Sequence, residues 1–465
     1  MARMGMEAVS GVVLAGVLAL AVASGAQARS DQDKLIPVLN AGAKTLNFDW
    51  PMIRIGAGEY AEGPTGVTVF TFGRKVLGAV DVRGGGPGTV NADYLRLGYN
   101  YPELDAVVFA GGSWYGLEAA TAVETALKDD GVRDGDAFTD EPNIALTVGS
   151  IIYDFGPRRL NEIYPDKRLA QAAYRAARPG IFPQGAEGAG RFAKTGSLFG
   201  CNAYSGQGGA YKQIGDIKIA AFTVVNALGV VTDRQGRVVS CYPGASWPKV
   251  GALKSSDLMQ AFPDSYKETW TGPEGQASRK NTTISLIVVN QKMDPAELQR
   301  LAAQVHTSMA RALQPFATMA DGDVLYAVST AEYDGPAKMN SPSLGVAASE
   351  VMWDAILNSQ PVQPQAPKVD AKAMPKADVL ASFAGDYVFS QRVTVKVSAE
   401  GGKLMAQATG AQDAYVIGRK AAVELQPVSA SVFTIPGRYP LTIDFSTPGK
   451  LVFNPGHWQQ TGVRR

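Results

Sequence analysis

Lys280-Asn281-Thr282-Thr283-Ile284-Ser285-Leu286-Ile287-Val288-Val289-Asn290 is the stretch on which the reading of this chain turns. From Thr283 to Val289 it is almost continuously β-branched or aliphatic, the composition of a buried strand. It is entered through a polar Asn-Thr step. Before it, from Tyr242 to Lys280, the chain is polar and carries Pro243, Pro248, Pro263 and Pro273, which reads as an exposed, mobile connection. A buried strand that comes directly after such a connection places Thr282 at the boundary between exposed chain and core.

Downstream, Asp294-Pro295-Ala296-Glu297 supplies an N-cap, a proline at the first helical position and an acid at the third. Leu298, Leu301, Val305, Met309 and Leu313 then mark one helical face, stopped by Pro315. Ala320-Asp321-Gly322-Asp323 turns the chain into another strand, Val324 to Val328. Upstream, Val67 to Phe72 and Val76 to Val82 read as two strands of a hairpin turned at Gly73-Arg74-Lys75. Arg83 to Thr89 is a glycine-rich loop; it lacks the terminal Gly-Lys-Ser/Thr of a P-loop, so it reads as a turn in which backbone passes close to a neighbour. A strand at Asp105 to Ala110, an Ala-rich helix at Leu117 to Leu127, an apolar run at Ala145 to Phe155 and a helix at Lys167 to Ala177 come next. A loop rich in glycine then runs from Gly185 to Gly209. Ile217 to Val231 is apolar with one intruder, Asn226, which must find partners. It is either a structural strand-end residue or an amide donor aimed at a reacting oxygen.

A chain of 465 residues predicts two or three domains. Residues 1–28 read as a secretory signal peptide: Arg3, an apolar run from Gly11 to Ala23, and Ala26-Gln27-Ala28 as the cleavage site. The run is short of the roughly 18 residues of a membrane span. Residues 29–358 then form the main domain, 359–376 a linker with four prolines, and 377–465 a small antiparallel β module, sandwich or barrel.

Basic and acidic residues nearly cancel, 44 against 43, so no nucleic-acid partner is indicated. The two histidines, His306 and His457, and the two cysteines, Cys201 and Cys241, do not have the spacing of a metal site, and no cofactor is called for. Export permits a Cys201–Cys241 bridge without requiring one. Ser113, on a strand-turn-helix, invites comparison with a nucleophile elbow. However, position 115 is Tyr where that elbow needs Gly, and no histidine is near in sequence. A helix N-cap is the better reading of Ser113.

The blocks Asn281-Thr282-Thr283-Ile284, Asp321-Gly322-Asp323-Val324 and Ala327-Val328-Ser329-Thr330 resemble the DmpA-type aminopeptidase family. Gly78 to Thr89, Gly111-Gly112-Ser113 with Gly116-Leu117, and Ile151-Ile152-Tyr153-Asp154 resemble its other blocks, in the same order, over about residues 50 to 350. The resemblance implies an α/β (α+β) fold, a four-layer αββα sandwich of the N-terminal-nucleophile type, to which the C-terminal β module is added. It implies a self-processing hydrolase of amide bonds cut between Asn281 and Thr282, working as a homo-oligomer of two-chain units on short peptides or on amino-acid amides and esters. By position, Asn226 and Tyr153 correspond to residues that stabilise the oxyanion and place substrate, and Asp321 and Asp323 to a pair near the nucleophile. The nylon-oligomer branch of the family has Thr after Asn, as here, but carries a lysine where Ser197 stands in this chain. Lys194 or Lys212 could stand in for it. An endo-amidase of 6-aminohexanoate oligomers is therefore the alternative substrate reading, and an inactive binding or assembly relative the alternative to catalysis.

The chemistry can be stated without the family. A threonine hydroxyl attacks only when a base takes its proton. A free α-amine has a pKa of roughly 7.7–8.0 and can be that base near neutral pH. Only a cut before Thr282 exposes it. Asp321 and Asp323, two residues apart, fall on one side of an extended segment and could both face Thr282.

Overall fold

A computed structural model describes residues 32, 34–98, 102–133, 143–158, 160–245, 247–261, 281–336 and 339–465. The chain divides by packing at Pro37/Val38, and the larger unit is Val38–Arg465. The proposed signal peptide, Lys280 and the second half of the polar connection lie outside the described residues.

Eight principal strands and four helices make up the larger part of this unit. In chain order they are β1 (Ile53–Tyr60), β2 (Thr65–Val82), β3 (Glu103–Ala110), α1 (Glu118–Asp129), β4 (Thr147–Ile151), α2 (Lys167–Arg175), β5 (Gln207–Ile214), β6 (Ile217–Asn226), β7 (Thr282–Gln291), α3 (Pro295–Ser308), β8 (Val324–Tyr333) and α4 (Ser341–Asn358). Strand order is β5-β6-β7-β8-β2-β3-β4, with β1 paired to β2. Neighbours run antiparallel except β7/β8 and β3/β4.

β2 is what makes this one path into two layers. Its first half, Val67 to Thr71, pairs with β3 and β1, and its second half, Leu77 to Val82, with β8. The expected hairpin at Gly73-Arg74-Lys75 is absent. The register slips between Thr71 and Val76, and the strand bends there instead of reversing. The Arg74 guanidinium reaches Thr330 O at the bend. The halves of β2 therefore lie in two sheets whose inner faces meet. Phe70, Phe109, Phe182 and Phe222 interlock between them, with ring centroids 5.0–6.0 Å apart. Each such buried aromatic contributes about 2 kcal/mol from area alone. α1 and α2 cover the outer face of the β1/β3/β4 layer, while α3 and α4 cover the outer face of β5 to β8. The result is the αββα sandwich, with β7 buried at every residue. α4, which local sequence patterning did not reveal, starts at Asn340, whose side chain accepts from Ser343 N. It packs against both the sheet and α3, so apolar residues occur round much of its circumference and the one-sided helical stripe is blurred.

Two segments are more ordered than their composition implies. Cys201 and Cys241 form a disulfide, and Leu253 and Leu258 are buried beside it. Most described residues between 242 and 260 are exposed, as expected, but the segment is anchored to the core at Leu253, Ser255 and Leu258. The proline-rich segment after α4 is pinned: Gln363 bonds both ways with the Tyr204 backbone, and Tyr242 donates to Pro364 O. Beyond it, eight short antiparallel strands between Gly385 and Arg464 close into a barrel filled by side chains such as Tyr387, Phe433 and Phe453.

The barrel grips the 187–204 loop. Trp458 stacks on Tyr204 at 4.1 Å, and its indole N–H donates to Arg191 O. Arg191, ion-paired with the buried Glu59, donates to His457 O, and Tyr439 donates to Gly200 O. Trp458→Ala is expected to destabilise the protein by about 3 kcal/mol, the usual cost of emptying a buried aromatic site. Denaturant unfolding followed by far-ultraviolet circular dichroism measures it.

Candidate active site

Thr282 opens β7 and is buried. Antiparallel pairing sets it opposite Asn226, the last residue of β6. On the other side, Asn281 bridges in parallel to Asp321 in the turn before β8. That bridge is two backbone bonds: Asn281 N–H donates to Ala320 O at 3.2 Å, and Gly322 N–H donates to Asn281 O at 2.8 Å. The Thr282 hydroxyl also donates to Asn281 O, at 2.5 Å. The peptide predicted to be cut is therefore held at its carbonyl by one backbone donor, with the adjacent hydroxyl against it.

Gly322 is a glycine for steric reasons. A Cβ there would meet Gly86 O at 2.7 Å and Thr282 Oγ1 at 2.8 Å. The glycine-rich loop after β2 is the neighbour pressed on this turn. Arg83 N and Gly84 N both donate to Asp323 O, and Gly86 N donates to Asp321 O. A Cβ on Gly84 would lie 2.2 Å from Asp323 N. The loop is thus a wrapping for the Asp-Gly-Asp turn.

The two carboxylates are held by backbone N–H groups and, for Asp321, by one hydroxyl. Asp323 accepts from Thr283 N at 2.6 Å and from Ala317 N at 3.1 Å. Asp321 accepts from Leu228 N at 3.1 Å and from the Thr318 hydroxyl at 2.7 Å. They fix the peptides on either side of the site and hold the turn, in place of facing the Thr282 side chain as two free acids. Removing a carboxylate from water costs several kcal/mol, and each charge-assisted bond returns about 1.5–3. Two bonds nearly offset one buried charge but do not offset two charges side by side. Burial accordingly raises both acids above the usual carboxylate range, Asp323 further because the Asp321 charge adds to it; the two N–H donors lower Asp323 only in part.

Asn226 is a strap. Its Oδ1 accepts from Lys194 N at 3.0 Å and its amide donates to Tyr153 O at 3.3 Å. This brings the backbones of Tyr153 and Lys194 to Thr282. The Tyr153 side chain is half-buried and lies edge-on to Phe155. Ser197 comes within 3.5 Å of the Asn281 carboxamide oxygen. The Lys194 ammonium turns the other way, onto the Tyr204 ring at 4.5 Å, in the stack that the barrel's Trp458 completes. Lys212 is exposed and pairs with Ile219, opposite Val289. Seven residues along β7 separate that level from Thr282, about 23 Å, so Lys212 stands outside the site. Ser113 is not an N-cap: it is the first residue of a short 3₁₀ turn capped by Gly112 without a side-chain bond, because its φ of 52° turns the chain before any helix begins. His306 lies behind the site, buried, 2.8 Å from Asp81, and burial lowers its pKa. Among the described residues no cluster of three or more His, Cys, Asp or Glu is placed to hold a metal, and no helix is long and apolar enough to cross a membrane.

Sequence reasoning missed Gly322, Ala320 and Thr318. The only signal for them was the glycine between two aspartates, which is also the signature of an ordinary turn.

The sequence pattern of peptidase family S58 matches residues 48–366, ending before the barrel. A 6-aminohexanoate-oligomer endohydrolase of Paenarthrobacter ureafaciens is 40% identical over 342 residues, 71% of this chain and 90% of that protein. An uncharacterized aminopeptidase of Mycobacterium tuberculosis is 30% identical over 316 residues, 64% of this chain and 87% of that one. A solved L-aminopeptidase D-Ala-esterase/amidase from Ochrobactrum anthropi is 17% identical, covers 71% of this chain and 89% of that one, and superposes with a TM-score of 0.49.

Two outcomes are expected from the packing of the turn. Gly322→Ala is expected to destabilise by about 1–3 kcal/mol through overpacking, read by denaturant unfolding. The second concerns Asp323, whose folded-state pKa is raised. The folded protein keeps a proton that the unfolded chain has released, so the contribution of Asp323 to stability falls as pH rises. Between about pH 5 and about pH 8 the melting temperature of the wild type should therefore fall relative to that of Asp323→Asn. Parallel curves for the two proteins would contradict the assignment.

Proposed function

The chain belongs to peptidase family S58 and is a hydrolase of amide bonds, and from that premise we propose that it cuts itself between Asn281 and Thr282 and then uses Thr282 as an N-terminal nucleophile. The observation that carries the reading is the scissile carbonyl itself, held by Gly322 N–H with Thr282 Oγ1 against it. In the precursor, Thr282 Oγ1 attacks the Asn281 carbonyl carbon. The Oγ–C bond forms, the C–N bond breaks, and the hydroxyl proton ends on the Thr282 nitrogen. Water then cleaves the ester, leaving Asn281 as a carboxylate and restoring the hydroxyl beside a free α-amine.

That amine is the base for the second reaction. It takes the Oγ1 proton as Oγ1 attacks a substrate carbonyl, and gives a proton to the departing amine. Water hydrolyses the acyl ester and returns the enzyme to its start. Asp321 and Asp323 hold Thr283 and the Asp-Gly-Asp turn in register with Thr282. Asn226 ties Tyr153 and Lys194 to the same point. The substrates of this reading are short peptides and amino-acid amides or esters, released from their N-terminal residue. The 40% identity to a 6-aminohexanoate-oligomer endohydrolase favours a second reading, endo-cleavage of linear amide oligomers. Export through the signal peptide at residues 1–28 and assembly of the processed two-chain units into a homo-oligomer complete the proposal.

Intact-mass measurement tests it. The wild type should give two fragments, the second beginning at Thr282, and Thr282→Ser should still process. Thr282→Ala should remain one chain without amidase activity. A wild type that stays uncut while hydrolysing amides would overturn the mechanism. If export is right, the first fragment of protein recovered outside the cytoplasm begins at Arg29.

A further inference from the structure

We propose that Asp81 and His306 are positioning residues for self-cleavage: bonded to each other, they anchor the glycine-rich loop after β2 to α3, and that loop holds Gly322 N–H on the Asn281 carbonyl. The inference rests on the self-processing reading and adds to it two residues that touch none of the reacting atoms.

The Gly322 N–H that meets Asn281 O belongs to the same planar peptide as the Asp321 carbonyl. Gly86 N–H donates to that carbonyl at 2.8 Å, so the loop grips one end of the peptide whose other end grips Asn281. Arg83 N and Gly84 N donate to Asp323 O at 3.1 and 3.2 Å, and Gly85 N donates to Thr318 O at 3.2 Å. Every N–H from Arg83 to Gly86 is thus spent on the turn. Three of these four residues are glycine, the residue with the most backbone freedom to lose. Arg83 carries the one side chain by which the stretch can be anchored.

That anchor runs to α3. Arg83 Nε donates to Asp81 Oδ2 at 2.6 Å, and His306 Nδ1 lies 2.8 Å from the same oxygen. Arg83 Nη2 also reaches Ala303 O, and Gln299 Nε2 donates to Val80 O. Residues 299, 303 and 306 share one face of the helix, so the end of β2 is tied to that face at three levels. Burial works to raise the Asp81 carboxyl, but the His306 and Arg83 donors hold it below the usual range. Burial lowers His306. The pair is therefore a carboxylate and a neutral imidazole whose proton is on Nδ1. The imidazole is wholly buried, edge-on to Phe316 with centroids 5.4 Å apart, and among the described residues its Nε2 has no hydrogen-bond partner. An unpartnered buried nitrogen opposes stability. A phenylalanine would fill the same space without it, so the bond to Asp81 is what the histidine adds.

The test compares three variants of the full chain, made by cell-free synthesis and followed by intact mass below their melting temperatures. His306→Phe keeps the ring against Phe316 and loses the bond to Asp81. It should slow the appearance of the fragment beginning at Thr282 by about 10-fold, the rate equivalent of one hydrogen bond to a charged group. Its melting temperature, compared in the uncut Thr282→Ala background, should equal or exceed that of the parent, because a buried unpartnered nitrogen is gone and water reaches the half-buried Asp81. A purely structural role predicts the reverse, lost stability with an unchanged rate. Asp81→Ala removes the same bond from the other side and should slow cleavage to a similar degree. Asp81→Asn keeps one oxygen for both donors and should cleave within about 3-fold of the wild type. Wild-type rates in His306→Phe or Asp81→Ala, or an Asp81→Asn as slow as Asp81→Ala, would overturn the inference while leaving self-processing intact. Failure of self-processing appears separately, as a wild-type mass spectrum without a fragment beginning at Thr282.

Discussion

The bond between Gly322 N–H and the carbonyl of Asn281 is the constraint on which the rest of the site depends. It belongs to the isolated parallel bridge between Asn281 and Asp321, which precedes the β7/β8 ladder that begins at Ile284 and Val324. A parallel pair needs a long crossover, and here that crossover is α3, entered through its capping box at Asp294 and Glu297. The helix, the sheet and the Asn281–Thr282 peptide are therefore set by one another. The glycine that makes the bond possible is in turn enclosed by a second glycine-rich loop, because only residues without Cβ let three backbone segments meet beside a threonine hydroxyl.

That close approach has an electrostatic consequence. Asp321 and Asp323 are inside the protein because the turn needs acceptors for Thr283, Ala317 and Leu228 N–H groups that the sheet cannot satisfy. Their burial raises their affinity for protons. The same two residues thus hold the start of β7 through Thr283 and the turn before β8 through Thr318. In the proposed processed form, an ammonium at Thr282 would favour ionisation of the pair and couple the protonation of amine and acids.

The barrel reaches this centre through packing. From Trp458 the contacts run to Tyr204 and Arg191, then to Lys194, whose backbone N–H is bonded to Asn226. The disulfide and the pinned proline-rich segment close the same region from the other side. Lys194 is held in an aromatic stack as part of that arrangement, which accounts for its turning away from Asn281. The family match ends before the barrel, so this buttress is an addition to the hydrolase core.

Periodicity and composition were enough to give the buried strand at Thr283 to Val289, the capped helix after it, the β character of the C-terminal module and the Asn-Thr step itself. These depend on neighbours close in sequence, whose preferences add locally. Asp321, Asp323 and Asn226 could be named from their positions relative to matching blocks, but what they bind could not, because Leu228 N, Lys194 N and Tyr153 O are brought to them from distant segments. The continuous β2 shows the same limit. Gly73-Arg74-Lys75 has the composition of a turn, and only the availability of two different partner sheets made the strand run on through it. The glycine between the aspartates looked like any turn glycine until the tertiary structure set Gly86 and Thr282 against it. Residue type determined which groups could react; the packing of β7 between β6 and β8 decided which of them meet.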